Sequence, residues 1–343
     1  MELKRKDTKM LQGLAALFMV WLHMFCNDNI DGLYRPCLYL FGYPISLYIA
    51  QLSDCCVMIF AFCSGYGHSV SNRTIKNRLR HLFVLFVNYW VVLMLFIPIG
   101  FAIGIDPAGR TIIDYVLMIP SFIVHNGAHW YLSVYAIIII LSDKIIDAVR
   151  KKPLSSLCIT FICYLIGIYI RFYILHGVDY FSIFYVRIGC LLTTIFEYVI
   201  GVYFGLFKLF PKIYKQFERV NKTTLWTILI CITLFITIIH GHMIGNIAVS
   251  AFSGLYIIIV FSYLKKSVAV EKIFIYLGEH STNIWLVHMY FTSYYFAELV
   301  FKSKYVITTY VTALALSLFS SYIIKLIQKY VIKSIKISTK LSI

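Results

Sequence analysis

His23 lies near the far end of an apolar stretch, Leu11-Gln-Gly-Leu-Ala-Ala-Leu-Phe-Met-Val-Trp-Leu-His23, that a lipid bilayer would otherwise accept whole. A titratable imidazole inside a membrane span is costly, which makes it a functional candidate by default. A neutral imidazole near pH 7 can take a proton from a hydroxyl, or attack an acyl carbonyl itself. Gln12 precedes His23 by eleven residues, roughly 16 Å along a helix and within about 20° of the same face. One helix face then carries an amide near one edge of the span and an imidazole beyond its middle. The plainer alternative is a hydrogen-bonded structural histidine.

Other polar groups interrupt apolar segments. Glu197 stands in a span without a local partner, and is expected to face inward, against Arg187 or a histidine. Glu279, His280, Asn283 and His288 share a late helix. Ser281 and His288 lie on one face but about 10 Å apart, too far for a nucleophile and its base. His288 is therefore read as a cavity wall. His125 and His129 have the i, i+4 spacing of a metal pair if helical, but no acidic or cysteine ligand stands beside them. His240-Gly-His242 reads as a loop at a span end, so no metal site is expected. Glycine-rich phosphate loops, a Ser-centred nucleophile elbow and dinucleotide fingerprints are missing from the sequence.

The elements that position these groups follow from composition. Of 343 residues, 61% are hydrophobic and only 13% charged, with a mean hydropathy of +0.83; soluble domains carry about 25% charged residues. Apolar runs near the roughly 20 residues needed to cross a bilayer recur from end to end. The fold class is all-α, polytopic. About ten spans are expected, near 10–27, 51–70, 82–104, 129–148, 154–175, 182–207, 223–243, 246–264, 273–299 and 305–328, forming one membrane domain over 1–343. The runs do not alternate as barrel strands would. The net charge of +16 falls almost entirely in alternate loops, 25 of 31 basic residues on one side. That pattern places both termini in the cytoplasm and argues against nucleic acid as the partner. No cleavable leader is expected. The loops 28–50 and 105–128 face outward; their apolar pieces, Cys37–Ile49 and Thr111–Val124, are too short to span and would lie in the interface or re-enter. Pro98 predicts a kink. Cys26 and Cys37 are near enough in the expected topology to pair, though scattered buried thiols is the simpler reading. The sequons at Asn72 and Asn221 fall in loops expected on the cytoplasmic side.

Four motifs, in order, resemble the acyltransferase 3 family of bacterial integral-membrane acyltransferases. Gln12-Gly13 through His23 is similar to the family's first helix. Phe60-Ala-Phe-Cys-Ser64-Gly65-Tyr66-Gly67 resembles its Ser-Gly-Tyr end of the second helix. His129-Trp130-Tyr131-Leu132-Ser133-Val134-Tyr135 is similar to its entry to a central helix, and Gly278-Glu279-His280-Ser281 through His288 to its late Leu-x-His helix. The resemblance implies His23 as the catalytic residue, as base or as acyl carrier. Gln12 departs from the family's basic residue there; Lys9, one turn earlier, would supply that charge toward the donor. Arg78-Leu-Arg80-His81 answers imperfectly to the family's basic motif on the third helix.

The resemblance further implies acyl-coenzyme A, most simply acetyl-coenzyme A, as co-substrate, with no bound cofactor. Of the basic patch Arg73, Lys76, Arg78 and Arg80, the last two sit nearest the third span and suit the donor's phosphates; any one of the four is equally well read as a charge anchoring the topology. Trp130, Tyr131, His288 and Glu197 would line the acceptor side. The expected activity is transfer of acetyl to a hydroxyl of an exported or lipid-linked glycan at the bacterial inner membrane. A glycan transporter or flippase, and a family member that has lost activity, are the alternatives.

Overall fold

The computed structural model describes residues 2–26, 32–71, 74–105, 111–171, 180–242 and 247–334. Helices dominate: α1 (Arg5–Phe25), α2 (Ile45–Leu52), α3 (Cys56–Val70), α4 (Ile75–Ala102), α5 (Ile112–Met118), α6 (Trp130–Lys151) and α7 (Pro153–Tyr169). There follow α8 (Tyr180–Leu206), α9 (Leu209–Phe217), α10 (Lys222–His242), α11 (Ile247–Tyr263), α12 (Val268–Met289), α13 (Ala297–Phe301) and α14 (Val306–Ser334). The strands β1 (Tyr39–Leu40) and β2 (Tyr43–Pro44) form a small antiparallel hairpin pairing Tyr39 with Pro44 and Leu40 with Tyr43. Among the described residues, six segments are long and apolar enough to cross a membrane: Arg5–Phe25, Ile45–Val70, Ile75–Ala102, Ile183–Leu206, Lys222–Ile239 and Val306–Ser334. Pro153–Tyr169 and Ala248–Tyr263 are shorter apolar helices. The chain is a multi-pass helical membrane protein.

Several expectations change. The second crossing begins at Ile45 rather than 51, because Pro44 caps it in an extended conformation and a 3-10 turn, Ser53–Cys55, joins α2 to α3 without a loop. Cys37–Ile49 is thus hairpin and helix start, not a re-entrant piece. The late helix stops at Met289 rather than 299, passing into a π turn over Tyr290–Tyr294. In Thr111–Val124, Thr111 and Asp114 form a capping box that starts the short α5; its Ile112 is 83% exposed, as suits an interfacial helix. His240 and His242 fall within the backbone of α10 rather than in a loop. Pro98 sits inside α4. None of the nine cysteines is in a disulfide, so Cys26 and Cys37, both exposed, are not bonded to each other; Cys55, Cys56, Cys63 and Cys190 are the buried ones. Asp28, Asp31, Asn72, Arg73, Asp106 and Arg110 lie outside the described residues.

The chain divides into two compact units. The first comprises Met1–Ile30, Pro36–Asn72 and Leu141–Ser281; the second comprises Asp31–Arg35, Arg73–Ile140 and Thr282–Ile343. In the first, the largest contact is between α3 and α8, and α1 packs on α2, the 3-10 turn and α3. These helices meet backbone to backbone. A Cβ on Gly65 would strike the Tyr198 carbonyl, and one on Gly201 the Phe62 carbonyl. Small residues let membrane helices approach closely, where van der Waals packing replaces the hydrophobic effect. The same device joins α1 to the first half of α12: Gly13 faces the Phe274 carbonyl, and Gly278 faces the Lys9 carbonyl. In the second unit α4, α14 and the last part of α12 are tied by amides. Asn88 donates to Asn283 Oδ1, and Asn283 Nδ2 donates to Ser321 Oγ at 3.0 Å.

Candidate functional site

The candidate residues on α1 are held by a rigid setting in the first unit. Tyr66 anchors the start of the helix: the Leu3 N–H donates to its hydroxyl at 3.1 Å. Near the other end Trp21 Nε1 donates to the Ser46 carbonyl at 3.1 Å, and its ring lies 4.8 Å from that of Phe25. Between these pins α1 carries Lys9, Gln12 and His23, all three half-buried. A ring N–H of His23 donates to the Met19 carbonyl one turn back. A neutral imidazole can donate from one ring nitrogen and accept at the other. Lys9 is within electrostatic reach of Glu279 and of Arg5, so its charge has an acidic neighbour on α12.

Glu197, on α8, is 4% exposed. Its electrostatic neighbours are Asp54 and Arg171, rather than the Arg187 or histidine anticipated for it. Its Oε2 is buried without a hydrogen-bond partner among the described residues. The adjacent Tyr198 turns its hydroxyl to His68 Nδ1, 3.0 Å away. Asp54, Arg171 and His68 are not among the candidates that residue type and spacing single out. Starting the second crossing at Pro44 would have found Asp54, since it then falls nine residues into a span.

In the second unit Arg78 and Arg80 both sit in the first turns of α4, but on different faces: Arg78 is buried at 6% exposure and Arg80 is exposed. Only Arg78 can present its guanidinium inside the protein. Trp130 and Tyr131, half-buried at the start of α6, meet edge to face, and Tyr131 meets Trp285 in the same way at 5.7 Å. His288 is fully buried, its Nδ1 donating to the carbonyls of Ile284 (3.0 Å) and Trp285 (2.9 Å). Tyr131 of α6 thus meets the end of α12 at Trp285, while His288 turns its Nδ1 back onto its own helix.

The stretch 125–129 is not an α-helix. Gly127–His129 is a 3-10 turn, so His125 and His129 do not present the i, i+4 face of a metal pair. His125 has Tyr290 Oη 2.9 Å from Nδ1 and Tyr295 Oη 3.3 Å from Nε2. His129 Nε2 donates to the Leu286 carbonyl at 2.7 Å. Asn126 Nδ2 donates to that carbonyl too, the Gly127 N–H to Tyr294 Oη, and Trp285 Nε1 to the Ala128 carbonyl. Among the described residues no group of three His, Cys, Asp or Glu could hold a metal ion.

His23 thus stands on the first membrane helix, whose start is pinned by Tyr66 from the Ser64-Gly65-Tyr66 stretch inside α3. The chain belongs to the acyltransferase 3 family, whose model, an acyltransferase domain, matches residues 8–326. It is a membrane acyltransferase. No curated protein and no solved structure matches it.

Proposed function

We propose that this chain moves an acyl group, acetyl in the simplest case, from acyl-coenzyme A on the cytoplasmic side to a hydroxyl of an exported or lipid-linked glycan. The observation that carries the reading is the acyltransferase-domain match over residues 8–326 together with a half-buried imidazole, His23, within the membrane helix α1. A hydroxyl is a poor nucleophile until its proton is accepted as it attacks, and a positioned imidazole is suited to that step. As the carbon–oxygen bond of the new ester forms, the thioester carbon–sulfur bond breaks. The hydroxyl proton passes to His23 and then to the departing thiolate, so the reaction is proton-neutral overall. Acyl transfer through the His23 nitrogen balances equally and would be distinguished by a trapped acyl-enzyme.

Arg78 is the donor anchor we favour, because a buried guanidinium pairs with phosphate in a fixed fork; Arg80, exposed, contributes a weaker, screened attraction. Lys9 and Gln12 stand on the side of α1 from which the donor would arrive, if both termini are cytoplasmic as the distribution of basic residues requires. Trp130, Tyr131, His288 and Glu197 are assigned to the acceptor side. We place the protein in the bacterial inner membrane. The test is acetyl analysis of the surface glycan from cells carrying His23→Ala or His23→Gln. Loss of acetyl with export intact supports the enzyme; loss of export with acetylation retained supports a transporter and overturns the reading. Gain of activity only in Gln12→Lys would mark the natural chain as inactive.

A further inference from the structure

Arg150 and Lys151 close α6, and Lys152 alone separates it from α7. The break is written in the sequence. Pro153 takes the first helical position of α7, where its missing N–H costs nothing, and it disfavours helical backbone at the residue before it. Lys152 accordingly stands at φ −136° and ψ 70°. Its N–H still donates to the Ala148 carbonyl at 2.8 Å, and its carbonyl accepts from the Ser156 N–H at 2.9 Å. One residue thus belongs to the hydrogen-bond ladders of both helices while the chain turns at it. Between the two helix ends lies a groove of about 270 Å³, lined by Ala148, Lys151, Lys152, Ser155, Ser156 and Ile159, all within the first unit.

The groove joins two ammonium groups and two hydroxyls to the apolar side chains of Ala148 and Ile159, and no carboxylate lines it. Asp147, beside it in sequence, is paired with Arg150 at 3.0 Å. Neither Lys151 nor Lys152 has an ion-pair partner among the described residues. The volume falls below the roughly 300–1,000 Å³ of clefts that enclose a whole small-molecule ligand, which suits a compact anionic head rather than a nucleotide donor. An apolar track leads away from it. Ser155, Ile159, Ile162, Ile166 and Tyr169 follow at i, i+4, i+7, i+11 and i+14, within about 40° of one line down α7. All five are exposed, and the track is about 21 Å long.

We propose that this groove seats the headgroup of an anionic phospholipid of the cytoplasmic leaflet, the side to which the basic loops are assigned, with one acyl chain along the isoleucine track of α7. Basic pockets between membrane helices on that side bind such headgroups. The phosphate stands between the Lys151 and Lys152 ammonium groups, and the Ser155 and Ser156 hydroxyls donate to its oxygens. The site asks for a negative head and a chain together. A free anion meets only the first demand and a zwitterionic lipid only the second. The lipid takes no part in acyl transfer, and loss of this site would leave the role of His23 standing.

The test is native mass spectrometry of the detergent-solubilised full chain, titrated with dioleoylphosphatidylglycerol, dioleoylphosphatidylcholine or inorganic phosphate. A tight first adduct is expected with phosphatidylglycerol alone. Lys151→Gln with Lys152→Gln is expected to weaken that adduct roughly tenfold or more, and Ile159→Asn to weaken it with no change of charge. Lys265→Gln with Lys272→Gln removes the same charge from exposed residues away from the groove, and is expected to leave the first adduct unchanged. Equal binding of the two lipids, or equal loss in the two lysine pairs, overturns the proposal, because the attraction is then to the bilayer or to net charge alone. Inorganic phosphate bound as tightly as the lipid overturns it too. So does displacement of the lipid by coenzyme A, which would give the groove to the acyl donor.

Discussion

Gly65 and Gly67 are two residues apart in α3, and the structure predicts opposite outcomes for the same substitution. At Gly67 an added Cβ meets nothing within 4 Å, so Gly67→Ala retains only the helix-propensity gain, about 0.5–1 kcal/mol. At Gly65 the new methyl would overlap the Tyr198 carbonyl oxygen, with the carbonyl carbon and the Val202 nitrogen each at 3.1 Å. All three atoms are α8 backbone and cannot rotate away. Ordinary carbon contacts are about 3.5–4.0 Å, so α3 and α8 must separate by roughly 1 Å, forfeiting a quarter to a half of the dispersion energy across their contact. Overpacking of this kind costs about 1–3 kcal/mol, or roughly 5- to 150-fold in the folded population. The assay is thermal denaturation of the two variants in one detergent, with the monodisperse fraction read by gel filtration. Because Gly201 faces the Phe62 carbonyl in the same interface, Gly65→Ala with Gly201→Ala should cost less than the sum of the two. If Gly65→Ala proves as stable as Gly67→Ala, the backbone approach described for α3 and α8 is wrong.

Other consequences are equally direct. Tyr66→Phe removes the acceptor for the Leu3 N–H; we expect a loss of about 0.5–1.5 kcal/mol and faster hydrogen exchange at that amide. Asn283→Ala strands the Asn88 amide and frees Ser321. A destabilisation of about 1–3 kcal/mol is expected, read by the same melts and largely restored by Asn88→Leu in the same chain. Lys266, between α11 and α12, donates to the Leu264 carbonyl at 2.9 Å and lies 4.0 Å from the Phe261 ring. Burial holds its amine below the usual lysine range near 10.5. The unfolded chain then binds more protons than the folded one between the lowered value and 10.5, so stability should rise with pH across that window. Lys266→Met should flatten the rise; a slope unchanged in the variant would contradict the assignment.

The apolar runs were enough to show a helical membrane protein, because in a bilayer every backbone group must be satisfied within its own segment, but six rather than ten of the expected spans meet the length and hydropathy of a crossing among the described residues. What hydropathy could not resolve was which polar residues belong inside a span. Gln51, Ser53 and Asp54 look like a boundary when read as composition, and the expected start at 51 follows from that. Pro44 was the stronger signal, since proline cannot sit in a helix interior without breaking a bond. The overlong reading of α12 to residue 299 failed for a tertiary reason. The segment Tyr290–Tyr295 is as apolar as a helix end, but the hydroxyls of Tyr290 and Tyr295 turn to His125 and that of Tyr294 to the Gly127 N–H. Likewise, Arg78 and Arg80 are equivalent as charges in a sequence. Only the packing of α4 buries one and exposes the other.

The tie between residues 125–129 and the end of α12 with the turn that follows it, residues 285–295, restricts how this side of the protein can move. Six hydrogen bonds join the two stretches, two from His125 and one each involving Asn126, Gly127, Ala128 and His129. At about 0.5–1.5 kcal/mol net apiece, releasing them together costs roughly 3–9 kcal/mol, which keeps the separated state below about one per cent. The two stretches therefore travel as a single lever. A molecule reaching Trp130 and Tyr131 has to find a standing opening, or shift α12 and the start of α6 in concert, because the connecting strap will not swing aside alone.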